Sequence, residues 1–311
     1  MSRSEGPPDL VIVGSVAFDS IETPWGKVER VLGGSATYAS LAASLFCKPA
    51  IVGVVGDDFG EAEERLLSGR GVDLSGLERR RGKTFFWHGR YFEDADRRES
   101  IVTELGVFAD FRPLLPERLR RAPLAFIANI NPSLQLSVLS QLEQPRLVAC
   151  DTMRLWLDTE KEGVLEVLSM ADLALVNDEE AHLLTGERSV ERMAQRIQAL
   201  GPKGVVIKRG SAGACVAIDG IWKHIPACPV RDVVDPTGAG DSFAGGLLGY
   251  LSRKGETSPE AVVEGAVVAS AVASAVVESF GPEGILRLTM DEVRRRVERI
   301  LETSLLPRPS I

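Results

Sequence analysis

The chain has 311 residues, of which 44% are hydrophobic and 26% charged, and its formal net charge is −8. This composition is that of an ordinary globular protein, and the acidic balance argues against a general binder of nucleic acid or anionic membranes. The four cysteines lie far apart and form no Cys-x-x-Cys pair, which disfavours a disulfide framework or a zinc site. Because the first eight residues are polar and carry no signal-peptide pattern, we expect a cytoplasmic protein.

Short apolar runs alternate along the chain with stretches of helical periodicity. The pattern predicts strands at Leu10–Val13, Ala50–Val55, Leu124–Ile130, Leu147–Cys150, Leu173–Val176, Val205–Lys208 and Ala214–Ile218. It predicts helices at Ala36–Leu45, Glu61–Arg70, Leu134–Leu142, Val164–Met170, Glu179–Leu184, Val190–Leu200, about Ser242–Leu251, Pro259–Val277 and Met290–Leu301. Apolar strands separated by helices are typical of a mainly parallel sheet covered on both faces. No linker divides the chain, so we predict a single α/β domain over residues 1–311.

Two segments interrupt this alternation. The first runs from Asp19 to Leu32, and the second runs from Lys83 to Leu105 and includes a charged stretch after Tyr91. Both are typical of hairpins that lie outside the main sheet.

Two further stretches near the C-terminus need an interpretation. Ala261 to Val277 is apolar, but Glu264 interrupts it and it is shorter than the ~20 residues of a membrane span, so we predict a core helix. The tail after Leu305 contains two prolines and is expected to fray.

The most informative string follows Arg231 and ends in a glycine turn before a helix. Gly238 and Gly240 allow backbone angles that place several N–H groups on one concave side, and the positive end of the helix dipole adds to them. Such a pocket binds anions. Asp241 lies beside it and could act as a base, as phosphoryl transfer to a hydroxyl requires. A glycine-rich helix start without chemistry is the alternative for this turn taken alone.

The string Asp235-Pro236-Thr237-Gly238-Ala239-Gly240-Asp241 resembles the second signature of the ribokinase-like (PfkB-type) carbohydrate kinases. The resemblance extends from Val11 to about Val293. It implies a three-layer α/β/α fold with a mainly parallel central sheet and a small β lid formed by about residues 16–33 and 83–105. It also implies ATP-dependent phosphorylation of a hydroxymethyl group, with Asp241 as the catalytic base and the N–H groups of Gly238, Ala239 and Gly240 as the anion hole.

The same resemblance assigns a substrate side to the N-terminal part of the chain. Asp19 follows the first strand, where a carboxylate can accept two hydroxyl hydrogen bonds from a polyol. Gly33 and Gly34 open a helix and match the start of the first family signature, which binds substrate hydroxyls. The family usually has Asn at the position of Tyr38, so this substrate-binding position departs from the pattern.

Nucleotide contacts are implied for a second group of residues. Asn177 and Glu180 match the family's Asn-x-x-Glu, in which the carboxylate holds Mg²⁺ through water. Lys208, Gly210 and Thr237, together with the two turn glycines, match positions near the phosphates of ATP. The resemblance also places Asp235 in a loop that binds a monovalent cation, such as K⁺, in some members.

The sequence lacks the central motifs of other enzyme classes. It has no Walker A motif, no Gly-x-Ser-x-Gly and no Gly-x-Gly-x-x-Gly after the first strand. The acceptor stays open between a sugar and a nucleoside. Aromatic residues could stack on a nucleobase or form the core of the lid: Phe18, Trp25, Phe86 and Trp87. A non-catalytic sensor on the same scaffold is a further alternative, and the lid could also join two copies as a homodimer.

Overall fold

The computed structural model describes residues 6–93, 97–302 and 304–311. Its strands, in chain order, are β1 (Leu10–Val13), β2 (Ala17–Thr23), β3 (Gly26–Gly33), β4 (Pro49–Val55), β5 (Asp73–Arg79), β6 (Phe85–Tyr91), β7 (Arg98–Glu104), β8 (Leu124–Ile127), β9 (Leu147–Asp151), β10 (Leu173–Asn177), β11 (Gly204–Lys208), β12 (Ala214–Ile218) and β13 (Ile221–Ile225).

The helices, in chain order, are α1 (Ser35–Ala43), α2 (Glu61–Gly69), α3 (Glu117–Arg120), α4 (Pro132–Leu139), α5 (Arg154–Thr159), α6 (Lys161–Met170), α7 (Asp178–Thr185), α8 (Val190–Gln198), α9 (Ala239–Lys254), α10 (Pro259–Val276), α11 (Glu283–Arg287) and α12 (Met290–Leu301). Short 3₁₀ turns occupy Gly106–Asp110 and Gly210–Ala212.

A nine-stranded sheet forms the middle layer, in the order β13-β12-β11-β10-β9-β8-β1-β4-β5. Seven adjacent strands of this sheet pair in parallel: β5, β4, β1, β8, β9, β10 and β11. At the other edge, β12 pairs antiparallel with both β11 and β13. The side chains of β1 alternate between two hydrophobic cores, one on each face of the sheet. Leu10 and Ile12 pack with α1, α9 and α10, while Val11 and Val13 pack with α4, α6 and α8. Burial of both faces explains why the parallel strands are continuously apolar.

Glycines allow α9 to pack very closely between α1 and α10. A Cβ on Gly245 would overlap the carbonyl oxygen of Ala39, and a Cβ on Gly249 would lie 2.9 Å from the Cα of Ala43. On the other side, the corresponding distance from Gly246 to the Cα of Ala269 is 3.3 Å. This packing fixes the position of α9, and therefore of the glycine turn and Asp241 at its N-terminus.

A second sheet, here called the smaller sheet, has the order β3-β2-β6-β7. Two antiparallel hairpins, β2–β3 and β6–β7, form it, and they join through a parallel pairing of β2 with β6. These are the two segments predicted to form hairpins outside the main sheet. Part of the charged stretch after Tyr91, residues 94–96, lies outside the described residues.

The predicted strands and helices are all present, with ends that differ by a few residues. The two edge strands β5 and β13 and the short helices α3, α5 and α11 were not predicted. α9 begins at Ala239 rather than Ser242, which puts Gly240 and Asp241 inside its first turn. α10 is long and apolar enough to cross a membrane by length and composition, but 78% of that window is buried inside the protein.

The prediction of a frayed C-terminal tail is wrong for the described residues. The backbone N–H of Ser310 donates to the Tyr250 hydroxyl over 3.2 Å, and Arg294 Nε donates to the carbonyl of Ile311. Leu306 packs against the core beside α9 and α10. The tail is held by these contacts, which its proline content does not reveal.

Candidate active site

The glycine turn lies at the N-terminus of α9, as predicted, and Asp235 holds it in place. Gly238 is the residue before the helix and has a left-handed conformation with φ of 74°. The Asp235 carboxylate is buried and accepts hydrogen bonds from the N–H of Thr237 (2.9 Å) and from the N–H of Gly281 (2.8 Å). Asp235 thus ties the turn to the loop after α10, so both of its oxygens already serve a structural purpose.

Asp241 lies in the first turn of α9, where the helix dipole favours a negative charge. Burial nevertheless raises the pKa of its carboxyl to about 7, with a further contribution from the charge of Asp151 and opposition from Lys208. A carboxyl with a pKa near neutrality can accept a proton at physiological pH. This is the property expected of a general base.

Asp19 lies on β2 opposite Val31 of β3, and its carboxylate lies against Gly33 in the glycine pair that precedes α1. It is only 5% exposed, and a Cβ on Gly33 would overlap its Oδ2, so glycine is required there. The N–H of Gly34, which has φ of 94°, donates to the carboxylate. Burial raises the pKa of Asp19 to about 8, and the charges of Asp235 and Asp241 add to the rise. Asp19 and Asp241 therefore face the same space.

Tyr38 reaches this space from α1. It is 1% exposed, and its ring covers Gly238 so closely that a Cβ there would overlap the ring. Its hydroxyl is buried and has no hydrogen-bond partner among the described residues. Burial and the nearby carboxylates of Asp19 and Asp235 raise the pKa of Tyr38 well above its usual value. A buried hydroxyl without a partner is costly in a folded protein, which points to a bound ligand as its partner.

Lys208 approaches the turn from the end of β11. A Cβ on Gly240 would lie 3.3 Å from its Nζ, which donates to Asp151 Oδ2 over 3.0 Å. Burial opposes the positive charge, but Asp151 and Glu180 outweigh it, and the pKa of Lys208 is raised. Lys208 therefore stays charged beside the turn. Sequence reasoning gave Asp151 no role, and the structure shows that it holds this lysine.

Asn177 and Glu180 form a reciprocal cap at the start of α7. The Asn177 side chain accepts from the Glu180 N–H (2.7 Å), and Glu180 Oε2 accepts from the Asn177 N–H (2.8 Å). Burial raises the pKa of Glu180 to about 7, with a contribution from Asp151. The cap alone explains the pairing of these residues, while the burial of a carboxylate close to Asp151 and Lys208 is unusual for a cap.

The remaining predicted position, Gly210, is exposed at the end of β11 and has φ of 52°. It begins the short turn after Lys208, so its backbone is open to a ligand at the same edge of the sheet.

The four aromatic residues that could stack on a nucleobase differ in how much of the ring is exposed. Phe18 is buried against Phe59, Phe86 packs on the main core, and Trp87 donates through Nε1 to Ser100. Trp25 is 58% exposed and lines a cleft of about 360 Å³ between the β2–β3 turn and residues 231–236. Of these four, Trp25 has the most exposed ring, while Phe86 and Trp87 are partly exposed.

Two residues of the smaller sheet reach the site without having been predicted. Tyr91 on β6 accepts a hydrogen bond from the Thr237 hydroxyl over 3.2 Å. Arg98 on β7 in turn donates to the Tyr91 hydroxyl, and its charge acts on Asp241 and Glu180. The sequence gave little indication that Arg98 lies near the site, because it belongs to a run of charged residues that is typical of a solvent-exposed hairpin.

Among the described residues, no three His, Cys, Asp or Glu side chains are arranged to hold a metal ion by themselves. Mg²⁺ keeps most of its water shell and binds through one or two carboxylates together with substrate phosphates. The buried carboxylates of Glu180 and Asp151 fit this kind of site. They would hold the ion through water while it neutralises charge on the phosphates.

Comparison with known proteins shows whether this anion-binding turn belongs to an enzyme. Residues 8–286 match the pfkB family of carbohydrate kinases. The chain belongs to this family. A cytidine kinase from Thermococcus kodakarensis is 32% identical over 251 residues, which is 79% of this chain and 89% of that protein.

Solved structures agree on the ribokinase-like fold. The nucleoside kinase of Burkholderia thailandensis in complex with inosine has a TM-score of 0.79 at 22% identity, covering 97% of this chain and 99% of that one. Aminoimidazole riboside kinase from Salmonella enterica, complexed with aminoimidazole riboside and an ATP analogue, has a TM-score of 0.73 at 21% identity over 93% and 99%.

Membership of the pfkB family makes this protein a phosphotransferase. It is an ATP-dependent kinase with an alcohol group of a sugar or sugar-like molecule as acceptor. The resemblance stated from the glycine turn is confirmed, and so is the three-layer fold.

Proposed function

We propose that this pfkB-family enzyme transfers the γ-phosphate of ATP to the 5′-hydroxymethyl group of a nucleoside of the cytidine type. Similarity to the cytidine kinase of T. kodakarensis over most of both chains supports this acceptor. The observation that carries the reaction is the placement of Asp241 and Asp19 around Gly238. One carboxylate lies beside an anion-binding turn, and the other lies close enough for its pKa to respond to the first.

On the acceptor side, Asp19 and Tyr38 provide complementary groups. The pKa of about 8 leaves the Asp19 carboxyl mostly protonated at neutral pH, so it donates one hydrogen bond and accepts another, which suits the neighbouring 2′- and 3′-hydroxyls of a ribose. The unpartnered Tyr38 hydroxyl donates to, or accepts from, a sugar oxygen. Gly33 and Gly34 let the sugar approach the backbone, and the exposed ring of Trp25 offers a surface for a base.

On the nucleotide side, Asp241 takes the proton of the acceptor hydroxyl as the oxygen attacks phosphorus. The N–H groups of Gly238, Ala239 and Gly240 stabilise charge on the transferred group. Lys208 adds a fixed positive charge, while Gly210 and Thr237 contact phosphate oxygens. When bound, Mg²⁺ would neutralise charge on the phosphates, and Glu180, positioned by Asn177, would hold the ion through water.

The smaller sheet acts as a lid in this proposal, and residues 1–311 form one domain with it. The lid covers the acceptor and excludes water from the reacting groups. We assign the enzyme to the cytoplasm and to small-molecule acceptors, without nucleic-acid or membrane partners. Comparing gel-filtration mass before and after charge-reversing changes on the outer face of the lid tests whether the lid joins a homodimer.

A monovalent cation near Asp235 is a separate proposal. Both carboxylate oxygens already accept backbone hydrogen bonds, so a K⁺ ion would share them and bind chiefly through carbonyl oxygens of the two loops. Replacing K⁺ with tetramethylammonium at constant ionic strength lowers the rate if the ion is bound. An unchanged rate removes K⁺ from the mechanism.

An acceptor screen tests the main proposal. Purified protein, ATP and Mg²⁺ are incubated with cytidine, uridine, inosine, ribose or fructose, and with 5′-deoxycytidine as a control that lacks the reacting hydroxyl. We expect the highest kcat/KM with cytidine and no ADP release with 5′-deoxycytidine. A sugar that is preferred over every nucleoside overturns the acceptor assignment alone. Absence of turnover with all acceptors favours the sensor alternative.

A further inference from the structure

A bulge interrupts the pairing of β2 with β3 directly after Asp19. The register places Ser20 opposite two residues of β3, Glu29 and Arg30, instead of one. Arg30 has a left-handed backbone with φ of 53°. This conformation is unfavourable for a residue with a Cβ, and glycine is its usual occupant. An arginine at such a strained position points to a function of its side chain.

Arg30 contacts both sequence neighbours of Asp19. Its guanidinium carbon lies 4.1 Å from the centre of the Phe18 ring, and its backbone N–H donates to Ser20 Oγ over 3.0 Å. Successive side chains of a strand point to opposite faces, so Phe18 and Ser20 lie on the face of β2 away from the Asp19 carboxyl group. Arg30 therefore holds the chain on either side of Asp19 from the opposite face of the smaller sheet.

The guanidinium of Arg30 is itself anchored by Asp58, in the loop between β4 and α2. Arg30 Nη2 donates to Asp58 Oδ2 over 2.8 Å, and the Asp58 side chain is only 13% exposed. The other oxygen, Oδ1, accepts from both the N–H and the hydroxyl of Thr84 at 2.7 Å. Because Thr84 directly precedes β6, one carboxylate ties both hairpins of the smaller sheet to the main sheet.

We propose that Arg30, held by Asp58, is a positioning residue that fixes the place of Asp19 for the acceptor. This inference rests on the proposed function, in which Asp19 binds the acceptor hydroxyls. A bulge beside a site commonly re-aims a side chain, and here the bulged residue grips both neighbours of the side chain concerned. A displacement of about 1 Å in a binding group is enough to lower the rate of an enzyme strongly.

Kinetics with the acceptor identified by the screen tests this role. Arg30→Gly removes the side chain and relieves the backbone, so the chain is expected to remain folded. The acceptor KM is expected to rise at least about 10-fold, while kcat and the KM for ATP change by less than about threefold. Asp58→Asn keeps an oxygen for Thr84 but presents no charge to Arg30, and it is expected to raise the acceptor KM about 3- to 10-fold.

A double-mutant cycle shows whether Arg30 acts through Asp19. In an Asp19→Ala background, Arg30→Gly is expected to raise the acceptor KM by less than about twofold, because the group that it positions is gone. A rise as large as in the wild type would mean that Arg30 acts by another route, and it overturns the proposal. An unchanged acceptor KM in both Arg30→Gly and Asp58→Asn overturns it as well.

Two substitutions serve as matched controls. Gln144→Gly relieves a backbone with the same φ of 53° in the loop after α4. Arg90→Ala removes another arginine of the smaller sheet, which pairs with Glu22. Both are expected to keep the wild-type KM values. A rise in either control to the level of Arg30→Gly would contradict a specific role of Arg30.

A measurement on the ligand-free protein separates this inference from the kinase proposal. Release of Asp19 from its buried place moves its pKa back towards the usual value. The stability of Arg30→Gly is therefore expected to fall less than that of the wild type between about pH 4 and pH 8.5. Urea unfolding measures both curves, and parallel curves overturn the positioning role. Absence of turnover with every acceptor overturns the kinase proposal, while the two curves still decide whether Arg30 positions Asp19.

Discussion

The ring of Tyr38 covers the backbone of Gly238, so the proposed acceptor side and the proposed phosphate side of the site are in direct contact. Gly238 is constrained twice at this point. Its φ of 74° is unfavourable for any residue with a Cβ, and the ring occupies the space that the Cβ would need. The turn can therefore keep its shape only with glycine at position 238.

Replacing Gly238 with Ala is expected to lower kcat at least about 100-fold, because the turn or the ring must move by a fraction of an ångström or more. Steady-state kinetics measures this loss. The control is Gly255→Ala at the other end of α9, where φ is 73° and no atom lies near the added methyl. Gly255→Ala is expected to cost about 1 kcal/mol of unfolding free energy through backbone strain and to keep full activity. Equal kinetics for the two variants would contradict the role of the ring contact.

Tyr38→Phe separates ligand binding from folding. Removing a buried hydroxyl that has no partner is expected to stabilise the free protein by about 1 kcal/mol, while the acceptor KM rises about 10-fold. Urea unfolding and kinetics with varied acceptor measure the two effects. The control Tyr250→Phe removes a hydroxyl that is bonded to Glu264 and Ser310, so it is expected to destabilise the protein and leave the KM unchanged. Destabilisation by Tyr38→Phe with an unchanged KM would count against a substrate contact.

The pH dependence of turnover reports on Asp241. A base works in its ionised form, so with a pKa near 7 the value of kcat is expected to rise as pH increases towards 7 and then to level off. Lys208→Met removes a positive charge that lowers this pKa, so the rising limb is expected to move to higher pH. Asp241→Asn is expected to lose about 10²- to 10⁴-fold in kcat and to keep ATP binding. Full turnover in Asp241→Asn would refute the assignment of the base.

Asp19 makes stability depend on pH. Its carboxyl titrates near 8 in the folded protein and near 4 in the unfolded chain, so between these values the folded state holds a proton that the unfolded state releases. Its contribution to stability is therefore full below about pH 4 and is lost as pH rises towards 8. Asp19→Asn is expected to equal the wild type at pH 4 and to be more stable by about 2 kcal/mol or more at pH 8.5.

Chemical unfolding of the ligand-free protein across this range measures the effect of Asp19. Glu162→Gln, which alters an exposed carboxyl of α6, serves as the control and is expected to follow the wild type at every pH. A constant difference between Asp19→Asn and the wild type from pH 4 to pH 8.5 would mean that Asp19 does not titrate in this interval.

Glu180→Gln tests the magnesium proposal. Glutamine can still accept the hydrogen bond from the Asn177 N–H, so the start of α7 is expected to remain folded. Loss of the negative charge is expected to raise the Mg²⁺ concentration for half-maximal rate about 10-fold. Glu179→Gln removes an exposed neighbour that pairs with Arg154 and is expected to leave the Mg²⁺ requirement unchanged. Identical Mg²⁺ curves for the two variants would remove Glu180 from the metal network.

Sequence reasoning predicted the buried parts of the fold well, because strands such as β1 and β8 are apolar on both faces and stand out as continuous runs. It missed β5 and β13 because each is an edge strand with polar residues on its exposed side. The glycine turn could be predicted from its residues, since its geometry requires glycine at fixed positions, but its role in phosphoryl transfer depended on the resemblance of residues 235–241 to a family signature.

Contacts in the site between residues of different helices and strands were harder to predict from the sequence. The departure at Tyr38 was visible, but its contact with Gly238 depends on how α1 packs on α9. The pairing of Lys208 with Asp151 joins two strands that are separated by β10. Arg98 reaches the turn only through the register of β6 with β7, which a charged run does not specify.

The parallel pairing of β2 with β6 has a consequence for how this protein folds. The two hairpins are separated along the chain by α1, β4, α2 and β5, so neither can complete the smaller sheet until that intervening unit has formed. Parallel contacts at such separation are slow to form. We therefore expect amide protons of β2 and β6 to become protected from exchange later than those of β1 and β4, so that the chain acquires its core before it acquires its capacity for catalysis.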